Sequence, residues 1–199
     1  PCMYRVHDRP DADKLSAASE LISNFGLSLP KGQVPEPKIL NRVLEGAIDH
    51  DYAPLIHQAI LRCQSQAVYM PDHHGHYGLA LQSYAHFTSP IRRYADVMVH
   101  RSLIRAYGLG EGGLDEGEAA RMVEIGEHIS MTERNSMVAE RSAVDRFTAC
   151  YLSAHMGARF EGRISGLNKF GLFVRLDETG ADGIVPIRSL PDDFYIHDE

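Results

Sequence analysis

The densest group of residues that could do chemistry lies at the start of a helix predicted for residues 90–107. Ser89 and Pro90 have the order of an N-cap residue followed by the first helical position, which sets the predicted start. Free backbone N–H groups and the helix dipole favour an anion such as phosphate there. Arg92 and Arg93 follow, and a guanidinium group can hold two phosphate oxygens without losing its charge. The spacing therefore predicts a phosphate-binding helix end.

Helical periodicity assigns the remaining side chains of this helix to two faces. Asp96 and His100 follow Arg92 at intervals of four residues, so Asp96 is expected to orient either arginine. The inward face is predicted to hold apolar and small side chains, namely Ile91, Ala95, Met98, Val99, Ser102 and Leu103. The same spacing also fits an ordinary surface helix with solvated charges, because caps and charged pairs four residues apart are common.

Hydrophobic residues recur at helical spacing in further stretches of the chain. These predicted helices cover residues 10–26, 39–47, 55–63 and about 118–156. Ser130 and Glu133 have the spacing of a capping box, so the last helix is expected to break near Ser130. Connectors rich in glycine and proline separate the helices.

From Arg159 onward the pattern changes to the alternation typical of strands. Three strands are predicted, over residues 160–164, 170–176 and 184–187. An oligonucleotide-binding (OB) barrel needs about five strands, so this barrel is expected to be incomplete. The predicted fold class is α+β, a mostly helical part followed by an incomplete β-barrel. Because the chain also begins with Pro1 rather than Met, both ends are expected to be cut.

Composition limits the classes of function. The 199 residues carry a net charge of −7, which argues against a general polyanion binder. Arginines cluster between residues 92 and 105, however, and a local basic site on an acidic chain fits that pattern. No apolar run approaches the ~20 residues of a membrane span. Three widely spaced cysteines without a C-x-x-C pair favour a reducing cytoplasm.

Two further groups of side chains are candidates for binding. Phe170 and Phe173, with Lys169 and Arg163, offer stacking surfaces and phosphate contacts to RNA. The alternative is that one of the two phenylalanines belongs to the core. The segment 72–76 contains one aspartate and three histidines, which are metal-ligand types. Its glycine-flanked setting favours a solvated loop, and no metal site is predicted in this chain.

The segment His86-Phe-Thr-Ser-Pro-Ile-Arg-Arg-Tyr-Ala-Asp-Val-Met-Val-His-Arg101 resembles the signature of the ribonuclease II / ribonuclease R exoribonuclease family. The signature reads H-F-T-S-P-I-R-R-Y-x-D-x-x-x-H-R, and a match of this density is highly specific. The resemblance extends over essentially the whole chain, and its details favour ribonuclease R over ribonuclease II. Further matching segments are Tyr4–Asp11, Ile60–Tyr69, His76–Ala80, Thr132–Arg141 and Gly162–Val174.

This resemblance implies a fold and an activity. Residues 1–157 would form the C-terminal part of an RNB catalytic domain, and residues 158–199 the N-terminal part of an OB-fold RNA-binding domain. Family members are processive 3′-to-5′ exoribonucleases that bind single-stranded RNA and release nucleoside 5′-monophosphates. The resemblance implies that Arg92 is catalytic at the scissile phosphate. It also implies RNA contacts by Ser89, Arg93, Tyr94, Phe170 and Phe173.

The family holds magnesium with aspartates in a D-x-x-x-x-x-D-x-D-D pattern that is absent from this sequence. The magnesium ligands are therefore expected on a missing N-terminal part of the same enzyme, which becomes an implied partner. The complete protein is expected to be a magnesium-dependent hydrolase in the cytoplasm, and this chain alone is expected to be inactive. The alternatives are a non-catalytic RNA-binding protein that retains the fold, and one half of a nicked enzyme.

Overall fold

The computed structural model describes residues 1–30, 32–191 and 193. Those residues fold into two compact units, Pro1–Arg134 and Asn135–Glu199. The helices are α1 (Ala12–Ser23), α2 (Pro37–Ala47), α3 (Ala53–Cys63), α4 (Tyr94–Tyr107), α5 (Glu116–Ala120) and α6 (Met122–Ser153). The strands are β1 (Tyr4–Val6), β2 (Val68–Met70), β3 (Gly162–Asn168), β4 (Gly171–Leu176) and β5 (Asp182–Pro186). The predicted α+β class, mostly helical and then β, is confirmed.

Helices α1, α2 and α3 bury one apolar face each in a shared core. Asp11 caps α1, because its carboxylate accepts the N–H groups of Asp13 and Lys14, and Pro37 occupies the first turn of α2. The side chains buried in this core include Leu15, Ile22, Leu40, Val43, Ile56 and Ile60. All three helices were predicted from their periodicity.

A second core joins the antiparallel pair β1–β2 to α4 and to the first turns of α6. Its buried side chains are Met3, Tyr69, Ala95, Met98, Val99, Leu114 and Met122. Gly126 lets α6 approach β2 closely, because a Cβ there would lie 2.6 Å from the Tyr69 carbonyl oxygen. Next to it, Ser130 Oγ accepts the Tyr69 N–H at 2.9 Å and donates to the Gly126 carbonyl at 2.7 Å.

The predicted break near Ser130 is wrong, because α6 is continuous from Met122 to Ser153. The Ser130 hydroxyl docks the helix against β2 instead of capping a new helix start. A capping box does exist nearby, formed by Asp115 and Glu118 at the start of α5.

The second unit contains an antiparallel sheet in the order β3–β4–β5, with an irregularity between Ile164 and Gly166. The turn between β3 and β4 falls later than predicted, because β3 continues to Asn168. The Asn168 carboxamide then accepts the N–H groups of Phe170 and Gly171 and closes the turn. These strands do not form a closed barrel within the described residues. Residues 192 and 194–199 of the predicted domain 158–199 lie outside that range.

Candidate functional site

Residues 89–93 form a separate turn ahead of α4, which we call the arginine turn. Helix α4 starts at Tyr94 and not at Pro90, so the predicted N-cap at Ser89 is wrong. The Ser89 carbonyl accepts the N–H groups of Arg92 at 3.2 Å and Arg93 at 3.1 Å. Arg93 then adopts an extended conformation, with φ −132° and ψ 111°, which separates the turn from the helix. The Arg92 N–H, one of the groups expected to be free at the predicted helix start, is therefore used inside the turn.

Asp96 holds the arginine turn against α4 from a fully buried position, with 0% of its surface exposed. Its carboxylate accepts the Ser89 N–H at 2.7 Å and an Arg93 guanidinium N–H at 3.0 Å. Its second oxygen lies 2.9 Å from Arg93 Nε, an ion-pair contact that lacks the geometry of a hydrogen bond. Asp96 therefore orients Arg93, and the structure places no such contact between Asp96 and Arg92.

The protonation state of Asp96 follows from these contacts. Burial alone would raise the pKa of its carboxyl group. The hydrogen bond from the Ser89 N–H and the hydrogen bond and charge of Arg93 outweigh burial, and they hold the pKa below its ordinary value. Asp96 is thus a buried carboxylate that carries a charge and is paired with one.

The segment leading into the arginine turn is fixed at two more points. His100 on α4 donates its Nε2–H to the Phe87 carbonyl at 2.7 Å. The Tyr69 hydroxyl and His86 Nδ1 are hydrogen-bonded at 2.9 Å. Burial, and then the charge of Arg93, lower the pKa of His86, so its ring favours the neutral form. Sequence reasoning missed Tyr69 and His86 as supporting residues, although His86 is the first residue of the matched signature.

Arg92 differs from Arg93 in having no carboxylate partner among the described residues. Its side chain is exposed, and the contact its guanidinium makes is with Ser89 Oγ at 3.4 Å. Tyr94, the first residue of α4, is 49% exposed. The four predicted residues Ser89, Arg92, Arg93 and Tyr94 therefore lie in one segment that hydrogen bonds hold against α4. Arg92 is its freely available cation.

The predicted inward face of this segment is correct for the helix and wrong at its ends. Ala95, Met98, Val99 and Ser102 are buried as predicted. Ile91 is 101% exposed, because it lies in the arginine turn and not on α4, and Leu103 is 36% exposed. The exposed Ile91 stands beside Arg92 on the outer side of the turn.

The next two arginines of the basic cluster have structural partners. Arg101 forms an ion pair with Glu118 and donates to the carbonyls of Gly112 and Gly113. Arg105 donates to the Leu114 carbonyl at 3.1 Å. Both side chains hold the loop after α4 in place. The arginines that remain as candidates for a basic binding site are therefore those of the arginine turn.

The sheet of the second unit carries the other predicted residues. Phe170 is 63% exposed and Phe173 is 38% exposed, so neither is a buried core residue. Phe173 lies opposite Gly166 on β3 and Ile184 on β5, and Arg175 follows it on the same face. Lys169 Nζ lies 5.3 Å from the centre of the Phe170 ring. Arg163 and Arg175 are paired with Asp177 and Asp182, so the positive charge beside this aromatic surface comes from Lys169.

The described residues contain no group of three or more histidine, cysteine, aspartate or glutamate side chains placed to hold a metal ion. In the segment 72–76, His73 Nε2 is hydrogen-bonded to Ser83 Oγ at 2.8 Å, and His76 Nδ1 accepts the Leu79 N–H at 3.2 Å. Among all the residues that the structure describes, no helix has the length and apolarity needed to cross a membrane.

Two parts of the chain match known domain families. Residues 1–108, which contain the arginine turn, match the model of the RNB domain. The chain belongs to the RNB family. Residues 154–199 of this RNB-family chain match the S1 RNA binding domain.

Several relatives resemble the RNB-family chain over nearly all of its length. Ribonuclease R of Escherichia coli is 37% identical over 209 residues, covering 100% of this chain and 26% of that protein. The apo form of Mycoplasma genitalium RNase R superposes with a TM-score of 0.87 at 30% identity, covering 100% of this chain and 32% of the other. Yeast Ssd1, described as a pseudonuclease, has a TM-score of 0.71 at 22% identity over 93% of this chain and 23% of its own, which shows the fold alone. This chain thus spans between a quarter and a third of the ribonuclease R relatives.

Proposed function

We propose that this chain contributes the phosphate-binding arginine of a processive 3′-to-5′ exoribonuclease that hydrolyses RNA to nucleoside 5′-monophosphates. The observation that carries the proposal is the arginine turn, in which the buried Asp96 carboxylate fixes the backbone while Arg92 stays exposed and has no carboxylate partner among the described residues. Membership of the RNB family and similarity to proteins named Ribonuclease R support the same activity.

Arg92 has the catalytic role in this proposal. Its guanidinium group binds the non-bridging oxygens of the scissile phosphate and stabilises the charge that develops there during hydrolysis. Ser89 and Tyr94 contact the phosphate or sugar from either end of the arginine turn. Arg93, whose guanidinium is already paired with Asp96, adds positive potential and holds the turn in place.

Magnesium, when bound, would activate the attacking water and stabilise the leaving oxygen. The acidic side chains of the described residues do not fit such a site, because they form no cluster that could hold a metal. We propose that the magnesium ligands lie on a part of the protein outside this chain, which covers 26% of Escherichia coli Ribonuclease R. On this proposal the chain alone does not hydrolyse RNA, and that upstream part is its partner.

Single-stranded RNA is the proposed substrate, and the sheet of the second unit is its second contact. We propose a division into a catalytic part at residues 1–157 and an RNA-binding part at residues 158–199. Phe170 and Phe173 would stack on bases, which suits a surface that must accept any sequence. Structures of Mycoplasma genitalium RNase R with RNA support the class of ligand.

Three cysteines that are all free fit the proposed cytoplasmic location.

A degradation assay tests the proposal. Single-stranded RNA labelled at its 5′ end is incubated with magnesium and either this chain or a longer form that includes the upstream part of the RNB domain. Only the longer form is expected to convert the full-length RNA to a short 5′-labelled remnant, and chromatography should show the unlabelled mononucleotides that it releases. If neither form degrades RNA but both bind it, the non-catalytic RNA-binding alternative is correct. Degradation by this chain alone would contradict the assignment of the metal ligands.

A further inference from the structure

A cleft in the first unit, on the side of the helical core, is not used by the proposed catalytic site. It has two adjoining halves that share the side chains of His7, Pro37 and Tyr77 as a common wall. One half has a volume of about 630 Å³ and the other about 420 Å³, both in the range of small-molecule sites. The two halves differ in chemistry, and that difference indicates what the cleft can hold.

The larger half is lined in part by hydrogen-bond donors that have no acceptor among the described residues. Arg9 is exposed, and among the described residues its guanidinium has neither an ion pair nor a hydrogen bond. His76 Nδ1 accepts the Leu79 N–H, so the ring proton lies on Nε2. The described residues provide no acceptor for this Nε2–H. His74 also lines this half. Such a group of donors suits phosphate oxygens.

The smaller half lies between α2 and α3 and is mainly apolar. Leu40, Leu44 and Leu61 line it, and Leu61 is 73% exposed. Asn41 and His57 add polar groups to this half. A flat aromatic base would cover the leucines and could still meet a donor or an acceptor along its edge.

The wall between the two halves is rigid. His7 Nε2–H donates to the Ser65 carbonyl at 2.8 Å, and Nδ1 accepts the Gly78 N–H at 3.0 Å, so the ring is held as one neutral tautomer. The Tyr77 hydroxyl donates to the Pro35 carbonyl at 2.6 Å. A preformed wall lowers the cost of ordering a ligand on either side of it.

The loop along the larger half contains one strained backbone position. Ala80 lies in the left-handed region with φ 54°, which is unfavourable for a residue other than glycine. The hydrogen bonds of His76 and Leu81 to each other hold this conformation. Strained backbone conformations that the surrounding structure holds in place often occur at binding sites. Here the strained residue, Ala80, itself lines the cleft.

We propose that this cleft binds a nucleoside monophosphate unit, with the phosphate at Arg9, His74 and His76 and the base between α2 and α3. Asp8, which also lines the larger half, accepts the ribose hydroxyls. The choice of a nucleotide over other phosphorylated ligands rests on the proposed function. The unit is either a free mononucleotide, the class of product proposed above, or one nucleotide of an RNA strand away from the catalytic site.

The test is an NMR titration of the 199-residue chain with uridine and adenosine 5′-monophosphate, and separately with uridine and inorganic phosphate. The nucleotides are expected to shift the signals of His7, Tyr77 and Leu61 and to bind at least about tenfold more tightly than either part alone. Binding of phosphate as tight as that of the nucleotides would overturn the proposal, as would shifts confined to the arginine turn or no saturable binding. A short oligoribonucleotide, competed with mononucleotide, distinguishes the two sources of the unit.

Two test variants and one control variant sharpen the result. Arg9→Ala is expected to weaken nucleotide binding about tenfold, because it removes a charged donor. Arg42→Ala, which removes an exposed arginine of α2 outside the cleft, is the matched control and should bind normally. Leu61→Asp should also weaken binding, and its high exposure protects the fold from the change. Unchanged affinity in both Arg9→Ala and Leu61→Asp would overturn the proposal.

Arg9→Ala, compared with Arg92→Lys in the proposed catalytic site, separates this inference from the proposed catalytic function. In a longer, active form, Arg92→Lys should abolish most RNA degradation and leave nucleotide binding in the cleft intact. Loss of cleft binding in Arg9→Ala with normal degradation would leave the catalytic proposal standing. Normal cleft binding in the longer form, combined with no RNA degradation by that form, would leave the cleft standing and remove the catalytic proposal.

Discussion

The difference between Arg92 and Arg93 is the main lesson at the scale of single residues. The two are neighbours in sequence, but one is paired with a buried carboxylate and the other is exposed to solvent. A lysine in place of Arg92 keeps the charge but loses the planar fork that holds two oxygens at once. We therefore expect a change at Arg92 to affect turnover, and the loss of the carboxylate partner of Arg93 to affect stability.

In an active, longer form of the enzyme, Arg92→Lys is expected to lower turnover about 10²-fold or more, because a transition-state contact worth a few kcal/mol is lost. RNA affinity should change much less, because many other contacts persist. Single-turnover degradation and RNA binding, measured side by side, check this. Arg42→Lys, at an exposed arginine of α2, is the control. Near-normal turnover in Arg92→Lys would contradict the catalytic role.

Asp96→Asn is expected to destabilise the first unit by about 3 kcal/mol at neutral pH, because it leaves Arg93 paired with a neutral group in a buried setting. Urea unfolding of both proteins measures the difference. Asp51→Asn, at an exposed aspartate, should have little effect.

The effect of Asp96→Asn should also depend on pH. The pKa of Asp96 is lowered in the folded state, so its carboxylate stabilises the fold fully above the ordinary aspartate pKa. That stabilisation is lost as the pH falls through the lowered value. The gap between wild type and Asp96→Asn should therefore shrink in acid, and a gap independent of pH would argue against a charged Asp96.

At the scale of elements, sequence periodicity correctly predicts helices that bury one apolar face. It fails where a specific hydrogen bond outside that pattern determines where a helix begins or whether it continues. The apolar spacing of α1, α2 and α3 was sufficient, because each helix buries one face. The predicted start of α4 is wrong although Ser89 and Pro90 fit a helix start, because the Ser89 N–H is bonded to the buried Asp96 carboxylate and the backbone at Arg93 is extended. The predicted break at Ser130 is wrong because its hydroxyl bonds Tyr69, on a strand 61 residues away.

The contact between α6 and β2 depends on the absence of a side chain at Gly126. Gly126→Ala is expected to destabilise the first unit by about 1–3 kcal/mol, because the new Cβ would lie 2.6 Å from a backbone oxygen that cannot easily move. Gly46→Ala in α2 is the matched control. Its Cβ would meet only the flexible end of Leu27, at 3.3 Å, so helix propensity should make it neutral or slightly stabilising. Thermal unfolding distinguishes the two, and equal effects would contradict the close-packing account.

The sheet of the second unit provides the corresponding test of RNA binding. Changing Phe170 and Phe173 together to alanine is expected to weaken single-stranded RNA binding about tenfold or more, because each stacked base contributes about 1–3 kcal/mol. Stability should change little, since both rings are exposed. Phe147→Ala, at a 78% exposed phenylalanine of the same unit, controls for the loss of aromatic surface. Normal binding in the double variant, measured by fluorescence anisotropy, would remove these residues from the proposed contacts.

At the scale of the whole molecule, an acidic chain must bind a polyanion through a few local cations. The net charge is −7, and most arginines with a described partner are paired with carboxylates or backbone carbonyls. Arg92 and Lys169 are exposed cations with no carboxylate partner among the described residues. RNA affinity is therefore expected to depend on few phosphate contacts and on stacking, and so to fall only gradually with salt.

Salt dependence measures that number of phosphate contacts directly. Each contact to single-stranded RNA contributes about −0.7 to the slope of log affinity against log salt concentration, so Lys169→Gln should make the slope shallower by about 0.7. Lys14→Gln, at an exposed lysine of α1, should leave the slope unchanged. Binding isotherms at four salt concentrations are sufficient. A steep wild-type slope that Lys169→Gln does not alter would mean that the RNA crosses a different basic surface, and the assignment of the β3–β4 turn to RNA binding would fail with it.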